Sequence, residues 1–546
     1  MLKENKKLKR FFRGEIATNQ KILTKYSHDA SLFEVTPQAV VFPKNSEDIK
    51  KLVKFVSKEK KHDSSLSLTV RAAGTDMSGG PLNESIIVDV TKKLKKISNV
   101  KNNHITAQPG VFYRDFEKVT LKQQLLLPSF PASRELCALG GMLANNAGGE
   151  KSLRYGKTSD YVTNLKVVLS DGKEYAFKPL NKKELRRKLQ LKNFEGRVYK
   201  KIYKMVNKHY SFLKRSKPKV SKNSSGYNLW DIWNKKTFDL TKLFVGSQGT
   251  LGIITEGTFR LIKKKKYTGL VVIFCKDLKP VVGIVHKVLP FAPSSFESFD
   301  DHSLKLALKF FPGFLQLMGA KNIFSLAWSF LPEFWLVATY GIPKLTLLVE
   351  FEEDSQEAVD KKMQMVSAQL KNLNVKSKMI ANPKTIKKYW LIRRESFNLL
   401  RHKVKNKQTA PFIDDFVIHP DRLRVFFPKL IRILEKHDLL YTIIGHVGDG
   451  NFHIIPLMNL ADENERKKIP VVSKEVYSLV LKMKGSITGE HNDGLIRSPY
   501  LKQMYGVKMC KLFKEVKDIF DPDNIFNPGK KVGSDLQFAL DHIKKS

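Results

Sequence analysis

Short apolar runs alternate with segments of helical period in the first half of the chain. The segment "PQAVVFPKNSEDIKKLVKFVSKE" joins an apolar run, an Asn/Ser helix start and apolar positions three to four residues apart. This pattern predicts a strand followed by an amphipathic helix. "LSLTVRAAGTDMSGG" predicts a strand that runs into a glycine-bearing loop, while "ESIIVDVTKKLKKI" and "HITAQPGV" predict two more strands. "LKVVLSDGKEYAF" predicts a hairpin that turns at Asp171-Gly172.

The second half shows longer strands and longer helices. "YTGLVVIFC" and "LTLLVEFEE" are apolar enough to be strands, and they alternate with helical patterns such as "DSQEAVDKKMQMVSAQLKNL". Together the two halves indicate an α+β protein with mixed sheets, and the lysine run at 263–266 marks a domain boundary.

The most apolar stretch, "NIFSLAWSFLPEFWLVATYGIP" (322–343), is interrupted by Pro332 and Glu333. Each remaining piece has about ten residues, too few to cross a hydrocarbon core of about 30 Å. We therefore predict a buried or interfacial helix pair here.

The chain has 97 Lys+Arg against 53 Asp+Glu, a net charge of +44. Because no nucleic-acid-binding motif accompanies this excess, a lysine-rich surface spread along the chain is the first interpretation. Docking on an anionic membrane, with the apolar segment 308–343 inserted at the interface, is the alternative. We expect no specific nucleic-acid binding.

Three cysteines (Cys137, Cys275 and Cys510) are scattered without CxxC spacing. They cannot form an iron–sulfur or zinc cluster, and they suggest a reducing compartment. The basic N-terminus has no apolar core typical of a secretion signal. We expect a cytoplasmic protein, with peripheral contact at the inner face of the membrane as the open alternative.

Three separate loops are rich in glycine: "RAAGTDMSGG" (71–80), "ALGGMLANNAGG" (138–149) and "GSQGTLGIIT" (246–255). Glycine allows a backbone to approach a ligand closely and to present consecutive N–H groups, which suits a pyrophosphate. None of the loops is a Rossmann fingerprint or a P-loop. Each alone could be a set of tight turns, whereas the three together favour a nucleotide cofactor.

Histidines and a carboxylate gather in two later motifs. "IIGHVGDGNFHIIPL" predicts a strand, a loop and a strand that carry His446 and His453, and "GSITGEHNDGLIRS" adds Glu490 beside His491. Imidazole and carboxylate are good ligands for a divalent metal, and three protein ligands leave positions open for a substrate. A single histidine is more often structural, but this combination favours a metal and acid–base site.

The motifs "RAAGTDMSG", "PSFPASRELCALGGMLANNAGGEKSLRYGKTSDYV", "GSQGTLGIITEG" and "DPDNIFNPGK" resemble the FAD-binding domain of the vanillyl-alcohol-oxidase superfamily. The most similar branch is the FAD-linked 2-hydroxy-acid dehydrogenases, which act on D-lactate, D-2-hydroxyglutarate or glycolate. The resemblance extends from about Tyr26 to Lys531. It implies a two-subdomain FAD-binding domain plus an α+β substrate (cap) domain with a central antiparallel sheet.

The resemblance also divides the chain into five parts. These are an N-terminal helical lead-in (1–35), the FAD-binding domain (36–265), the cap domain with the metal site (266–500), a C-terminal helical return to the FAD site (501–531) and a basic tail (532–546).

Residues that match the family's FAD-binding motifs are implied to bind the cofactor. They are Arg71, Ala73, Gly74, Thr75, Asp76, Met77, Ser78, Pro131, Gly140, Gly141, Asn146, Ala147, Gly148, Gly252, Ile253, Ile254 and Asn527. Two departures from the family stand out: Gln248 where glutamate is frequent, and Ala72-Ala73 where glycines are frequent, so that this backbone must adopt negative φ. Since "RAAGTDMSGG" contains no histidine for covalent attachment, we expect dissociable FAD.

In the cap, the resemblance implies a divalent metal, zinc above all, on His446, His453 and Glu490. His491 is implied to be the general base, and Asn451 to orient the substrate or the flavin. Arg393, in "YWLIRRESF", is implied to bind the substrate carboxylate. A 2-hydroxy acid would thus lose its hydroxyl proton to His491 and a hydride to flavin N5.

Relatives that act on dicarboxylates can have a lysine near the position of Ile413. Because isoleucine stands here, a monocarboxylate such as D-lactate is favoured.

A quinone or an electron-transfer protein would accept the electrons. Two alternatives stay open. One is an alkylglycerone-phosphate-synthase-like transferase, although the consecutive histidine run of that family is missing from the sequence. The other is a non-catalytic basic flavoprotein that binds lipid or nucleic acid.

Overall fold

A computed structural model describes residues 7–301, 305, 339–403 and 407–545. The first subdomain contains β1 (Glu15–Ala17), α1 (Gln20–Tyr26), β2 (Ala39–Phe42), α2 (Ser46–Glu59), β3 (Leu68–Arg71) and β4 (Ile86–Asp89). Its sheet has the order β1-β2-β4-β3, parallel except for the antiparallel edge strand β1. The predicted N-terminal lead-in is therefore only partly helical, because β1 pairs with β2.

Helix α2 shows why the sequence pattern succeeds here. The side chain of Asn45 accepts a hydrogen bond from the N–H of Asp48 at 3.1 Å and so caps the helix. The apolar positions Ile49, Leu52 and Val56 are fully buried against the sheet. The predicted strand and helix are both confirmed.

The second subdomain is built on an antiparallel sheet of order β5-β9-β7-β8. It contains β5 (His104–Ala107), α3 (Tyr113–Leu121), β6 (Leu125–Leu126), α4 (Leu139–Asn145), α5 (Ser152–Tyr155), β7 (Val162–Val168), β8 (Glu174–Phe177), α6 (Lys182–Gln190), α7 (Phe194–Lys208), α8 (Tyr210–Ser216), α9 (Thr241–Phe244), β9 (Ile253–Arg260) and β10 (Ile262–Lys263). The predicted hairpin is confirmed: β7 and β8 turn at Gly172, which adopts a φ of +68°.

The cap domain carries one eight-stranded sheet in which every strand pair is antiparallel. Its elements are β11 (Tyr267–Cys275), α10 (Val281–Val288), β12 (Ser295–Asp300), β13 (Leu345–Glu353), α11 (Gln356–Leu370), β14 (Lys376–Ile380), α12 (Pro383–Lys403), β15 (Gln408–Thr409), β16 (Phe416–Val417), α13 (Leu423–Lys436), β17 (Leu440–His446), β18 (Asn451–Met458), α14 (Glu463–Lys482) and α15 (Gly494–Arg497). The expected antiparallel cap sheet is confirmed.

The C-terminal segment returns to the first half of the chain. Helix α16 (Leu501–Phe520) buries Met509, Phe513 and Phe520 in the core of the second subdomain. Beyond it, Phe526 bridges to Leu68 in the first subdomain. The last residues, expected as a basic tail, form α17 (Leu536–Asp541) and pack on the cap core.

The described helices include none that is long and apolar enough to cross a bilayer. The predicted helix pair at 322–343 lies mostly outside the described residues, as does most of the proposed insertion segment 308–343.

Candidate active site

One cavity of about 890 Å³ connects the glycine-rich loops of the first half with the histidines of the cap. This volume is near the upper end of the usual range for ligand pockets, roughly 300–1,000 Å³. Most of the predicted site residues line its wall. They are Arg71, Ala73, Gly74, Thr75, Asp76, Met77, Pro131, Gly140, Gly141, Ala147, Gly148, Gly252, Ile254, Arg393, His446, His453, Glu490 and His491.

The loop after β3 forms one end of the cavity. The backbone N–H groups of residues 73–77 donate to no other atom within the described part of the chain. Gly74 has a φ of +70°, and a Cβ there would lie 2.4 Å from the guanidinium of Arg71. A run of free N–H groups beside an arginine suits an anionic diphosphate, so this end of the cavity fits FAD.

Hydrogen bonds to the carboxylate of Asp76 hold the loop in place. Oδ2 of Asp76 accepts hydrogen bonds from the N–H groups of Ser78 and Gly80, and Oδ1 accepts one from Asn145 at 2.6 Å. Ala72 and Ala73 keep negative φ, as expected.

Five predicted site residues lie behind the cavity wall rather than on it: Ser78, Asn146, Ile253, Asn451 and Asn527. Ile253 is buried in the core of the first subdomain because the alternation of β9 turns it away from Ile254, which does line the cavity. Asn527 donates to the carbonyls of Gly80 and Gln248 and so braces two of the loops.

The antiparallel pair β17–β18 aims both histidines into the cavity. In its register Ile444 faces His453 and His446 faces Asn451. Since side chains alternate along a strand, His446, Ile444, His453 and Ile455 share one face, and all four line the cavity. The 3-10 turn between the strands ends at Gly450, where a Cβ would lie 1.8 Å from the carbonyl oxygen of Ile418.

Glu490 lies at the centre of the imidazoles. Its Oε1 is 3.1 Å from Nε2 of His446, 3.6 Å from Nε2 of His453 and 3.9 Å from Nε2 of His491. The three Nε2 atoms thus converge on one carboxylate oxygen, which brings together the residues that the sequence singled out.

The opposite nitrogen of each imidazole is held by a carboxylate. Nδ1 of His446 is 2.6 Å from Glu297, and Nδ1 of His453 and of His491 are 2.9 and 2.6 Å from Asp414. Carboxylates on Nδ1 fix the ring orientation and leave Nε2 for a ligand, the arrangement around metal-binding histidines. The donor set of His446, His453 and Glu490 therefore fits a divalent metal such as zinc.

Asp415 lies near His453, Glu490 and His491 as well, but its oxygens are already used. Its carboxylate accepts hydrogen bonds from the N–H groups of Gly489, Glu490 and His491, at 2.7–3.2 Å. The Asn451 side chain and the Thr488 hydroxyl donate to it too. We therefore regard Asp415 as an anchor for the 489–491 loop rather than as a ligand. Asn451, expected to orient substrate or flavin, contacts this anchor instead.

Lys222 provides a buried cation behind Glu490. Its Nζ is 3.2 Å from Oε2 of Glu490, 3.3 Å from Asp449 and 3.4 Å from the carbonyl of Gly149, and the residue is 1% exposed. Burial alone would lower the pKa of Lys222, but Glu490 and Asp449 raise it to about 12, so the lysine is charged.

Two of the imidazoles, those of His446 and His491, have a raised pKa in the metal-free site. Burial alone would lower the pKa of His446, but the neighbouring carboxylates Glu297 and Glu490 raise it to about 9. In the same way Asp414 and Asp415 overcome burial and raise the pKa of His491 to about 10. Burial would raise the pKa of Glu490, but Lys222 and His446 hold it well below its usual range.

Arg393, the candidate for binding the substrate carboxylate, and its neighbour Arg394 carry internal partners. Arg393 donates to Oε2 of Glu297 at 3.0 Å, and Arg394 donates to both oxygens of Glu150 at 2.6 and 2.7 Å. Both arginines line the cavity. Ile413, by contrast, is fully buried in the cap core, so this side chain says nothing about a second carboxylate site.

Sequence reasoning missed Lys222, Glu297, Asp414 and Asp415. The adjacent acids in "FIDDFV" were a weak signal, because two charges that interrupt an apolar strand need buried partners. Lys222 and Glu297 have no such signal, since Lys222 follows a run of other cations and both residues lie far along the chain from Glu490.

Two solved structures share this fold. Substrate-bound p-cresol methylhydroxylase aligns with a TM-score of 0.68 at 16% identity, covering 98% of each chain. Alkyldihydroxyacetonephosphate synthase aligns with a TM-score of 0.67 at 15% identity, covering 97% of this chain and 86% of the other. The chain thus has the fold of the vanillyl-alcohol-oxidase type.

Comparison with protein families identifies the family to which the chain belongs within this class. Residues 37–177 match the "FAD binding domain" family, and residues 264–531 match the family "FAD linked oxidases, C-terminal domain". The chain therefore belongs to the FAD-linked oxidases of that superfamily.

Similar curated proteins include a D-2-hydroxyglutarate dehydrogenase of Haemophilus influenzae, 26% identical over 95% of this chain and 50% of the relative. Glycolate oxidase subunit GlcD of Bacillus subtilis is 25% identical over 94% and 93%. A D-lactate dehydrogenase of Anaerostipes hadrus is 25% identical over 96% of both. The chain spans about half the length of the D-2-hydroxyglutarate dehydrogenases that it matches first.

Proposed function

We propose that the protein is an FAD-dependent dehydrogenase that oxidises a D-2-hydroxy acid to the 2-oxo acid. The observation that carries this proposal is the single cavity that joins an FAD-binding loop to a cluster of imidazoles around Glu490. The names of the similar proteins, which act on D-2-hydroxyglutarate, D-lactate or glycolate, point to the same reaction class. FAD, when bound, would supply the hydride acceptor.

His446, His453 and Glu490 would hold a divalent cation, for which zinc is the best candidate on this N₂O donor set. Such a cation, when bound, polarises a substrate hydroxyl and lowers its pKa. Lys222 leaves Oε1 of Glu490 facing the imidazoles because it engages Oε2.

His491 is the candidate general base. Its ring stacks on that of His453, with 4.9 Å between centroids, and its side chain is 23% exposed at the cavity. Because Asp414 holds Nδ1, the substrate proton would go to Nε2. A nearby metal cation disfavours the imidazolium, which would bring the pKa of His491 down from about 10 toward neutrality.

Arg393 is the candidate partner for the substrate carboxylate. It already pairs with Glu297, so a substrate would share this guanidinium. Arg394 is engaged bidentately by Glu150, and Leu391, Ile444 and Ile455 contribute apolar wall. A small monocarboxylate such as D-lactate fits these surroundings better than a dicarboxylate, which needs a second cation.

The reduced flavin requires an external electron acceptor. The three cysteines of the sequence are too dispersed to hold an internal iron–sulfur centre. A quinone or a separate electron-transfer protein would therefore accept the electrons.

Contact with an anionic membrane would use the outer face of helices α6–α8. Residues 178–219 contain sixteen Lys/Arg and two acidic residues, a net charge of +14. Fifteen of these cations are exposed, and both acids are engaged locally: Glu184 by Lys178 and Glu195 by Lys188. This concentration of charge favours electrostatic docking, at about 1 kcal/mol per cation near the lipid surface.

Anaerobic reduction of the flavin tests the proposal. Protein loaded with FAD and zinc would be mixed with D-lactate, L-lactate, D-2-hydroxyglutarate and glycolate, and the flavin absorbance followed. We expect bleaching by D-lactate, loss of bleaching after chelation, and restoration by zinc. Bleaching that is unaffected by the chelator would contradict a role for the metal. The absence of bleaching with any 2-hydroxy acid would contradict the proposed function.

A further inference from the structure

A single carboxylate serves two imidazoles of the site. Oδ1 of Asp414 lies 2.9 Å from Nδ1 of His453, and Oδ2 lies 2.6 Å from Nδ1 of His491. Asp414 is fully buried, and Arg497 fixes its backbone by donating to its carbonyl oxygen at 2.7 Å. The two imidazole rings are nearly parallel, at an angle of 22°.

The third imidazole has an orienting carboxylate of its own. Nδ1 of His446 lies 2.6 Å from Oε1 of Glu297, whose other oxygen binds Arg393. Glu297 therefore orients one candidate metal ligand, whereas Asp414 orients a candidate metal ligand and the candidate base together. Because of this difference, substitutions of Glu297 and of Asp414 should have different effects, and experiments can distinguish the roles of the two carboxylates.

We propose that Asp414 is a positioning residue that holds His453 and His491 in the same tautomer and thereby ties metal binding to proton transfer. The proposal rests on the proposed function, in which His453 binds the metal and His491 takes the proton. An ionised carboxylate only accepts hydrogen bonds, so each neutral ring facing it carries its hydrogen on Nδ1 and its lone pair on Nε2. Both lone pairs then point into the cavity, one to the cation and one to the substrate.

Replacing Asp414 with asparagine keeps the shape of the side chain, but its two terminal atoms can no longer both accept a hydrogen bond. The amide has one acceptor and one donor, so only one of the two rings can keep its hydrogen on Nδ1. The other ring must change tautomer, which presents N–H to the cavity, or turn over, which presents C–H; in either case the Nε2 lone pair no longer points into the cavity. Glu297→Gln is the matched control, because it makes the same chemical change at a carboxylate that contacts only one of the three imidazoles.

The test combines zinc affinity with turnover. For both variants we expect zinc binding to the metal-free protein to weaken about 10–100-fold, as for other partners of metal ligands. At saturating zinc and substrate, the kcat of Asp414→Asn should stay about 10²–10⁴-fold below the wild-type value, since a base in the wrong tautomer cannot accept the proton. Glu297→Gln should leave His453 and His491 protonated at Nδ1 in nitrogen-15 spectra, whereas Asp414→Asn should change the tautomer of one of them. Recovery of Asp414→Asn with zinc would overturn the proposal.

Nitrogen-15 spectra of histidine-labelled, zinc-loaded wild-type protein provide a measurement that needs no variant. We expect His453 and His491 to be protonated at Nδ1 and unprotonated at Nε2; the reverse tautomer on either ring would overturn the proposal. This measurement also tests the role of Asp414 separately from the proposed function, because it remains valid if no 2-hydroxy acid reduces the flavin and the proposed function fails.

Discussion

Nζ of Lys222 lies 3.2 Å from Oε2 of Glu490, so that the FAD-binding half of the chain supplies the buried counter-charge for a carboxylate of the cap. The same ammonium lies 3.3 Å from Asp449. Without it, two buried carboxylates would be left without their cation.

Lys222→Met should therefore make the stability of the fold depend on bound metal. Loss of one partner from a buried ion pair costs about 3–5 kcal/mol of unfolding free energy, so the melting temperature of the metal-free variant should fall. Zinc should stabilise the variant more than it stabilises the wild type, because the cation takes over the missing charge. Lys222→Arg, which keeps the charge, is the control; an unchanged melting temperature for Lys222→Met would contradict this role.

Zinc uptake should depend on pH through His446. The pKa of this imidazole is about 9 without metal, so the ring is protonated at pH 7 and must lose its proton to bind zinc. Affinity should accordingly rise with pH, by at least about tenfold per unit, and should level off only above about pH 10, because the metal also lowers the pKa of His491 from about 10. Calorimetry in two buffers of different ionisation enthalpy should detect release of at least one proton at pH 7. His446→Ala should release about one proton fewer than the wild type, and equal release would refute the assignment.

Gly74→Ala should empty the flavin site while leaving most of the fold intact. The new Cβ would lie 2.4 Å from the Arg71 guanidinium, and a φ of +70° disfavours alanine. The ratio of flavin to protein absorbance after purification should drop well below that of the wild type. Gly533→Ala is the matched control, because its φ is +66° and no atom lies within 4 Å of the added Cβ. Equal flavin loss in both variants would show that backbone strain alone is responsible.

Arg393→Met should weaken substrate binding more than turnover. Hydrogen bonds to charged groups contribute about 1.5–3 kcal/mol, so KM for D-lactate should rise about 10–100-fold with a smaller change in kcat. The neighbouring Arg394→Met should leave KM for D-lactate largely unchanged, since Arg394 is engaged bidentately by Glu150. The opposite distribution of effects would transfer the carboxylate-binding role to Arg394.

Charge reversal on α7 tests the membrane contact. Lys200→Glu, Lys201→Glu and Lys204→Glu together should abolish sedimentation with vesicles that contain phosphatidylglycerol at low salt. Arg424→Glu, Lys429→Glu and Arg432→Glu on α13 make the same change in net charge at exposed positions of the cap, and this control should still bind. If both triple variants lose binding equally, overall charge rather than this face is responsible; binding to duplex DNA in preference to vesicles would also contradict the membrane contact.

The local sequence pattern was sufficient to predict the strands and helices that carry the predicted site residues. The alternation in "IIGHVGDGNFHII" places His446 and His453 on one face of a hairpin, because period two and a glycine turn are properties of neighbouring residues. The capped helix α2 and the hairpin at Gly172 are predictable for the same reason. The antiparallel cap sheet followed from family resemblance.

The partners of those residues could not be predicted in this way. Glu297 reaches His446 across β12 and β17, and Asp414 reaches His491 across 77 positions of sequence. Such contacts depend on how strands are ordered in the sheet, and a lone acid has no periodicity to mark it. Ile413 lies in the cap core while its neighbour Asp414 lines the cavity, because successive side chains of an extended segment point to opposite sides, and the sequence alone did not show which of the two faced the cavity.

The C-terminal return also sets an order of events during synthesis. The core of the second subdomain needs Met509, Phe513 and Phe520, and the flavin loops need Asn527, yet the whole cap is translated between these residues and β10. At roughly 5–20 residues per second the ribosome requires on the order of 10–50 s for that interval. The nucleotide-binding half therefore stays incompletely closed until the cap has been translated, and cofactor capture must follow synthesis of the cap.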